Sequence, residues 1–372
     1  MAARTHAVPL DDTALAWLAL ALVPELPPRR AFALVERFGT PRAVLEAPAG
    51  ALAAADAPPP VVTAIGQAPG RARAEARKLA AAGATLVAWS DGAYPPALRQ
   101  IADPPLVLAV RGSLGEPDEP AVAVVGTRHA SEYGLRMAEE LARGLAQAGV
   151  TVVSGLATGI DGAAHRAALA AGGRTVAVFG TGIDRVYPSW HRGLAAAIAA
   201  RGALVSEFPC GAPPLQFHFP RRNRIISGLT RGTVVVEAAE QSGSLITAGY
   251  ALEQDRQVFA VPGPAGVAAH LGPNRLIQQG ARLVVGAEDV VEELWPGLLL
   301  RLAARRAAAA EAALSTPERQ VLAAIGPGGR HVDDVIREAA VPPGAALETL
   351  LALELRGLVR QLPGKRFCRR AA

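Results

Sequence analysis

The sequence predicts an α/β protein: a Rossmann-like doubly wound, mostly parallel sheet, flanked by an N-terminal helical domain and a C-terminal winged helix. Three observations predict it. Short β-branched runs alternate with helix-length segments between about residue 120 and residue 290. These runs are almost continuously apolar, as strands covered on both faces must be. At 372 residues, the chain also exceeds what one core usually serves, so two or three domains are expected.

Residues 1–110 are rich in alanine and leucine at helical spacing. Their segment ALVPELPPRRAFALVERFGTPRAVLEA places a turn between two short helices, as in SAM-like or helix-hairpin-helix-like modules. Such hairpins grip a DNA phosphate through backbone N–H groups. Here Glu25, Pro27 and Pro28 remove donors and add negative charge, which points to a structural or protein-contact role.

Residues 111–295 carry the strands Ala121 to Val125, Thr151 to Ser154, Thr175 to Phe179, Ala203 to Phe208, Thr233 to Glu237, Gln257 to Val261 and Arg282 to Gly286. Residues 296–314 read as an alanine-rich helical linker. Residues 315–372 give three helices and a hairpin wing turning at Pro363 and Gly364. The third of these helices carries Glu348 and Glu354 against Arg356, so it repels phosphate. Lys365, Arg366, Arg369 and Arg370 make the wing the basic surface of that domain.

Net charge is +5, from 38 Lys and Arg against 33 Asp and Glu, and Lys78 and Lys365 are the only lysines. Where the arginines cluster is therefore more informative than the total. Cys210 and Cys368 suggest neither a disulfide framework nor a zinc site, and a reducing cytoplasmic setting is expected. No signal sequence or membrane-spanning run is apparent, so no membrane partner is expected.

In a doubly wound sheet, ligands sit beyond the carboxyl ends of the strands. Gly126, Thr127 and Arg128 follow the first central strand, Ser154 and Gly155 the second, and Gly180 the third. Phe219, Arg221, Arg222, Asn223 and Arg224 follow the fourth, and Gln241, Ser242, Gly243 and Ser244 the fifth. Glycines allow close backbone approach, and each following helix offers unpaired N–H groups. With one aromatic ring and three arginines added, the predicted site is for nucleic acid, above all a single strand.

A helix beginning at Pro220 would bury Ile225, Ile226 and Leu229. Arg222 falls on that side, either paired with Glu207 or Glu237 or lining the anion pocket. Arg221 and Arg224 point away, toward phosphate.

Absences narrow the chemistry. There is no G-x-x-x-x-G-K-[ST] phosphate loop, and the first strand-helix turn, GTRHASEYG, lacks the dinucleotide G-x-G-x-x-G. No cofactor, metal or catalytic residue is expected. Ser154, Asp161 and His165 show no nucleophile elbow, and the Asp161 and His165 pair, four apart, is expected to order its helix.

The motifs GTR at 126, SGLATGIDGAAH at 154, GTGIDRVYP at 180, FPRRNRIISGL at 219, VVVEAAEQSGSLITA at 234, VFAVPG at 258 and GPNRLIQQGA at 272 together resemble the DNA-processing protein A family (DprA, also called Smf). The resemblance implies a non-catalytic cytoplasmic protein that binds and protects incoming single-stranded DNA and loads the RecA recombinase during natural transformation. It implies homodimers through the Rossmann-like domain near Asn274 to Ala281. It also carries Arg128, Arg222 and Arg224 over as the family's pocket arginines, with Arg221 at its variable position. The alternative is a nucleotide-processing hydrolase using Glu237 and Gly243.

Overall fold

In the computed structural model, residues 11–115, 118–298, 314–326 and 329–369 are described. Arg370 and most of the expected linker, residues 299–313, lie outside them. Contacts divide the chain into two units, Met1–Leu294 and Trp295–Ala372.

The first unit opens with helices α1 (Asp12–Ala21), α2 (Pro28–Phe38), α3 (Pro41–Glu46), α4 (Ala49–Ala53) and α5 (Pro59–Ala81), followed by β1 (Thr85–Ala88), α6 (Pro96–Arg99) and β2 (Val107–Gly112). It continues as β3 (Ala121–Val125), α7 (Glu132–Ala148), β4 (Thr151–Ser154), α8 (Ile160–Ala170), β5 (Thr175–Val178), α9 (Arg192–Arg201) and β6 (Ala203–Ser206). Then follow α10 (His218–Gly228), β7 (Gly232–Val235), α11 (Gly243–Glu253), β8 (Gln257–Ala260), α12 (Ala268–Gln278), β9 (Arg282–Leu283) and α13 (Ala287–Leu294).

Among the described residues, nine strands form one sheet in the order β1-β2-β6-β5-β4-β3-β7-β8-β9. All pairs from β6 through β9 are parallel, whereas β1 with β2 and β2 with β6 run antiparallel. Every residue of β3 is buried, which explains its unbroken AVAVV run. The chain steps outward from β3 through β4 and β5 to β6, then returns to place β7 on the other side of β3. That reversal is the switch point where such sheets open a crevice.

The antiparallel extension was not expected from the sequence. Hydrophobic packing also runs across residue 110: Trp17, Leu34 and Ile65 share a cluster with Leu86, Ala109 and Leu204. On the sheet's other side, Tyr94, Leu98 and Ile101 pack with Ile225, Ile226 and Val235. The segment before residue 110 thus helps to cover α10.

The second unit contains α14 (Thr316–Ala324), β10 (Arg330–His331), α15 (Val332–Ala339), α16 (Pro343–Leu355), β11 (Val359–Leu362) and β12 (Arg366–Arg369). Its strands pair antiparallel in the order β10-β12-β11 around Val321, Leu350 and Phe367. The wing turns with positive φ at Gly364 and Lys365, one residue later than the sequence suggested. Arg369 is committed to the carbonyls of Leu322 and Ile325, so that part of the wing's charge braces the fold.

Candidate functional site

The β3 carboxyl end runs into Gly126, Thr127 and Arg128. Thr127 is clamped on both sides: its N–H donates to the Glu237 carbonyl at 2.7 Å, and its carbonyl accepts from Ile160 at 3.2 Å. Arg128 then projects outward, with its guanidinium carbon 5.0 Å from the centre of the Phe219 ring. A cation held over an aromatic face keeps most of its charge available to a ligand.

Phe219 lies in the first turn of α10, where Pro220 can sit without losing a helical hydrogen bond. Arg222 is 4% exposed and uses Nη1 to donate to the carbonyls of Gly155, at 2.8 Å, and Val178; its Nε donates to Asn223 Oδ1 at 3.1 Å. A Cβ at residue 155 would collide with this guanidinium, and one at residue 180 would lie 2.8 Å from Phe219 Cδ1. These two glycines make room for site side chains. Asn223 in turn donates to the Gly243 carbonyl at 3.1 Å, tying α10 to the start of α11.

The nearby carboxylate is Asp161, which accepts from the amides of Gly155 at 3.1 Å and Ala157 at 3.3 Å. Burial pushes the Arg222 guanidinium down to about 10, against the pull of Asp161. Burial likewise raises Asp161, countered by Arg222 and the two amides. Arg222 therefore remains a cation at neutral pH. Among the described residues, neither Arg222 nor Arg128 forms a salt bridge.

These groups enclose a cavity of about 310 Å³, walled by Gly126, Thr127, Arg128, Phe219, Arg222, Asn223, Gly243 and Ser244. His129, Ala157, Asp161, Ser242 and Thr247 also line it, with Val125, Pro220 and Ile226. Ser242 caps α11, so that helix presents its N-terminus to the cavity. Two arginines face one aspartate, and the arrangement suits an anion.

Five candidates lie off this wall, and one of them, Gly155, lines a smaller adjoining cavity instead. Ser154 is buried and donates to the Val124 carbonyl at 2.7 Å, while Gly180 serves as the seat for Phe219. Arg224 does not point outward as the helical wheel suggested. It is 4% exposed and paired with Asp103 at 3.1 Å and Glu207 at 2.7 Å. Arg221 is exposed but also reaches Glu207, at 3.2 Å.

The wheel assumed one buried face, but α10 is covered on two, the second by Leu98 and Ile101, which crowd Gly228. Glu207 thus serves Arg221 and Arg224, whereas Arg222, expected either to take Glu207 or Glu237 or to line the anion pocket, takes carbonyls and lines the cavity. Glu237 is held by Ser131, through its backbone N–H at 2.9 Å and its hydroxyl. Nor do Asp161 and His165 pair; His165 meets the Thr175 hydroxyl at 2.7 Å.

Sequence reasoning placed Ser242 on the rim without making it a contact, and it missed Thr247, His129 and the cavity role of Asp161. The Ser-Gly-Ser run before a helical stretch was the available signal for Ser242, as an N-cap. It also missed Tyr187 and Trp190, which line a smaller adjoining cavity of about 90 Å³. Among the described residues, no group of three or more His, Cys, Asp or Glu side chains could hold a metal ion, and no helix is long and apolar enough to cross a membrane.

Residues 85–295 match the family model for DNA recombination-mediator protein A, and residues 305–365 match the DprA winged helix domain. Protein Smf of Escherichia coli K12 is 46% identical over 280 residues, 73% of this chain and 74% of that protein. DNA processing protein DprA of Streptococcus pneumoniae R6 is 47% identical over 203 residues, 55% of this chain and 72% of that protein. A crystal structure of DNA processing protein A from Streptococcus pneumoniae superposes with a TM-score of 0.67 at 36% identity, covering 76% of this chain and 99% of the other. The Helicobacter pylori protein gives 0.52 at 27% identity, over 58% and 98%. With more than half its length matched by the family model, this chain belongs to the DNA recombination-mediator protein A family.

Proposed function

We propose that this chain binds single-stranded DNA at the rim of its parallel sheet, protects it, and loads the RecA recombinase on it during natural transformation and recombination, without a catalytic step. One observation carries the binding reading: Arg222 is buried without a salt bridge and lines one cavity with exposed Arg128, whose guanidinium lies over the Phe219 ring. Two guanidinium groups and a helix N-terminus recognise phosphate, and the ring recognises a base. Among nucleic acids, a strand with unpaired bases offers both at once, whereas a duplex stacks its base faces away. The Helicobacter pylori relative has a single-stranded DNA binding mode, which supports the same reading here.

The proposed contact set is Gly126, Thr127, Arg128, Gly155, Phe219, Arg222, Asn223, Gly243 and Ser244. Homodimers are proposed to form near Asn274 to Ala281, where Leu283 and Val285 are exposed close by. On α16, the outward Leu347, Leu351 and Leu355 suit a protein contact better than phosphate. The hydrolase alternative needs Glu237 to activate water, but that carboxylate is fully buried against Ser131 and off the cavity wall.

The test is a titration with oligo-dT and with duplex of equal length, followed by anisotropy, with light scattering for the dimer. Oligo-dT should bind more tightly, and log K should fall with log salt at a slope of roughly −3 if about four phosphates are neutralised. Equal affinity for duplex would overturn the reading.

A further inference from the structure

We infer that Trp190, with Tyr187 and one edge of Phe219, forms a base-stacking subsite that carries the strand on from the phosphate cavity. This rests on the single-strand reading above. The smaller cavity shares Arg128, Ala157, Phe219 and Arg222 with the larger one, so the two are continuous, and its outer wall includes Tyr187 and Trp190.

Trp190 is 72% exposed. An indole left in water forgoes the burial that a core position would supply, so a large exposed ring beside cations points to a ligand. Tyr187 and Phe219 already touch, with centroids 5.8 Å apart and planes tilted by 41°. A base is therefore taken up against this pair, not between its rings. The ligand class is a nucleobase of a flexible strand, bound with little sequence preference because every base offers a π face.

The platform is held in place before any ligand arrives. Trp190 sits in a short 3₁₀ turn, Ser189–His191, whose buried His191 meets the Leu156 carbonyl at 2.9 Å. Upstream, the Ser206 hydroxyl donates to the Thr181 carbonyl at 2.6 Å, and Asp184 accepts from the Gly211 amide at 2.8 Å. Anchors on both sides limit the ordering that binding would otherwise require.

The experiment titrates the full chain with oligo-dT and with a sugar-phosphate strand of the same length lacking bases. Anisotropy reports affinity, and tryptophan emission reports stacking. Trp17 and Trp89 belong to a ring cluster with Phe32, away from this cavity. Oligo-dT should quench the emission. Trp190→Ala should abolish that quench, weaken oligo-dT binding roughly tenfold, and leave the abasic strand and the salt slope unchanged. Trp190→Phe should restore affinity but not the quench.

Unchanged oligo-dT affinity in Trp190→Ala, or equal weakening for both strands, would overturn the subsite. Circular dichroism confirms folding, and should the alanine variant misfold, a quench that persists in Trp190→Phe overturns the proposal by itself. If the unmodified chain binds neither strand, the single-strand reading falls as well.

Discussion

The two sides of α10 carry the same side chain two residues apart and put it to opposite uses. Arg224 is buried between Glu207 and Asp103. Burial pulls its guanidinium down, but these two carboxylates more than offset that and hold it above the ordinary arginine value. Arg222 is as deeply buried, yet carbonyl oxygens hold it and its affinity for the proton falls. Carboxylates cancel a guanidinium's charge, whereas neutral carbonyl dipoles orient it and leave its field for the cavity. One arginine is a strut and the other an anion receptor, a difference invisible in the motif RRNR.

The largest effect that could break this comparison is on the strut side. Arg224→Ala leaves Glu207 buried with only Arg221, so urea unfolding should show a loss of about 3–5 kcal/mol, the usual cost of breaking a buried pair. The salt slope of strand binding by the folded variant should stay as it was. A flattened slope with intact stability would make Arg224 a phosphate contact after all.

The next effect lies behind Arg222. Burial pushes the fully enclosed His165 down to about 3, so it is neutral in the folded protein, whereas the unfolded chain protonates it near 6.5. Between those values the unfolded state holds more protons. This contribution to stability is therefore complete above about pH 6.5 and shrinks on acidification, by about 2 kcal/mol at pH 5. Urea midpoints across this range, compared with those of His165→Gln, isolate it; an identical pH dependence in both proteins would refute the assignment.

The smallest effect sharpens the receptor side. Arg128→Ala removes an exposed side chain and should change stability by less than about 0.5 kcal/mol. Its log–log salt slope should become shallower by about 0.7, the contribution of one phosphate on a single strand. An unchanged slope would remove Arg128 from the site.

Much of the fold was legible because near-continuous apolar runs between helix-length segments specify buried parallel strands. The short runs TLVA at 85 and VLAVRG at 107 escaped notice in an alanine-rich context, and with them the antiparallel extension. The loops around Arg128, Phe219 and Gly243 were legible since parallel strands bring all their carboxyl ends to one rim. Trp190 was not, because a lone aromatic in a loop has no periodicity to mark it.

Residue order by itself determined the central parallel strands and the loops at their carboxyl ends, since these follow from local propensity and from the repeat of apolar residues. Which arginine keeps its charge was decided only in three dimensions. Asp103 lies 121 positions from Arg224 in the chain and pairs with it because Leu98 and Ile101 pack that segment against α10. Neutralisation depends on distances of a few ångströms, and spacing along the chain does not encode them.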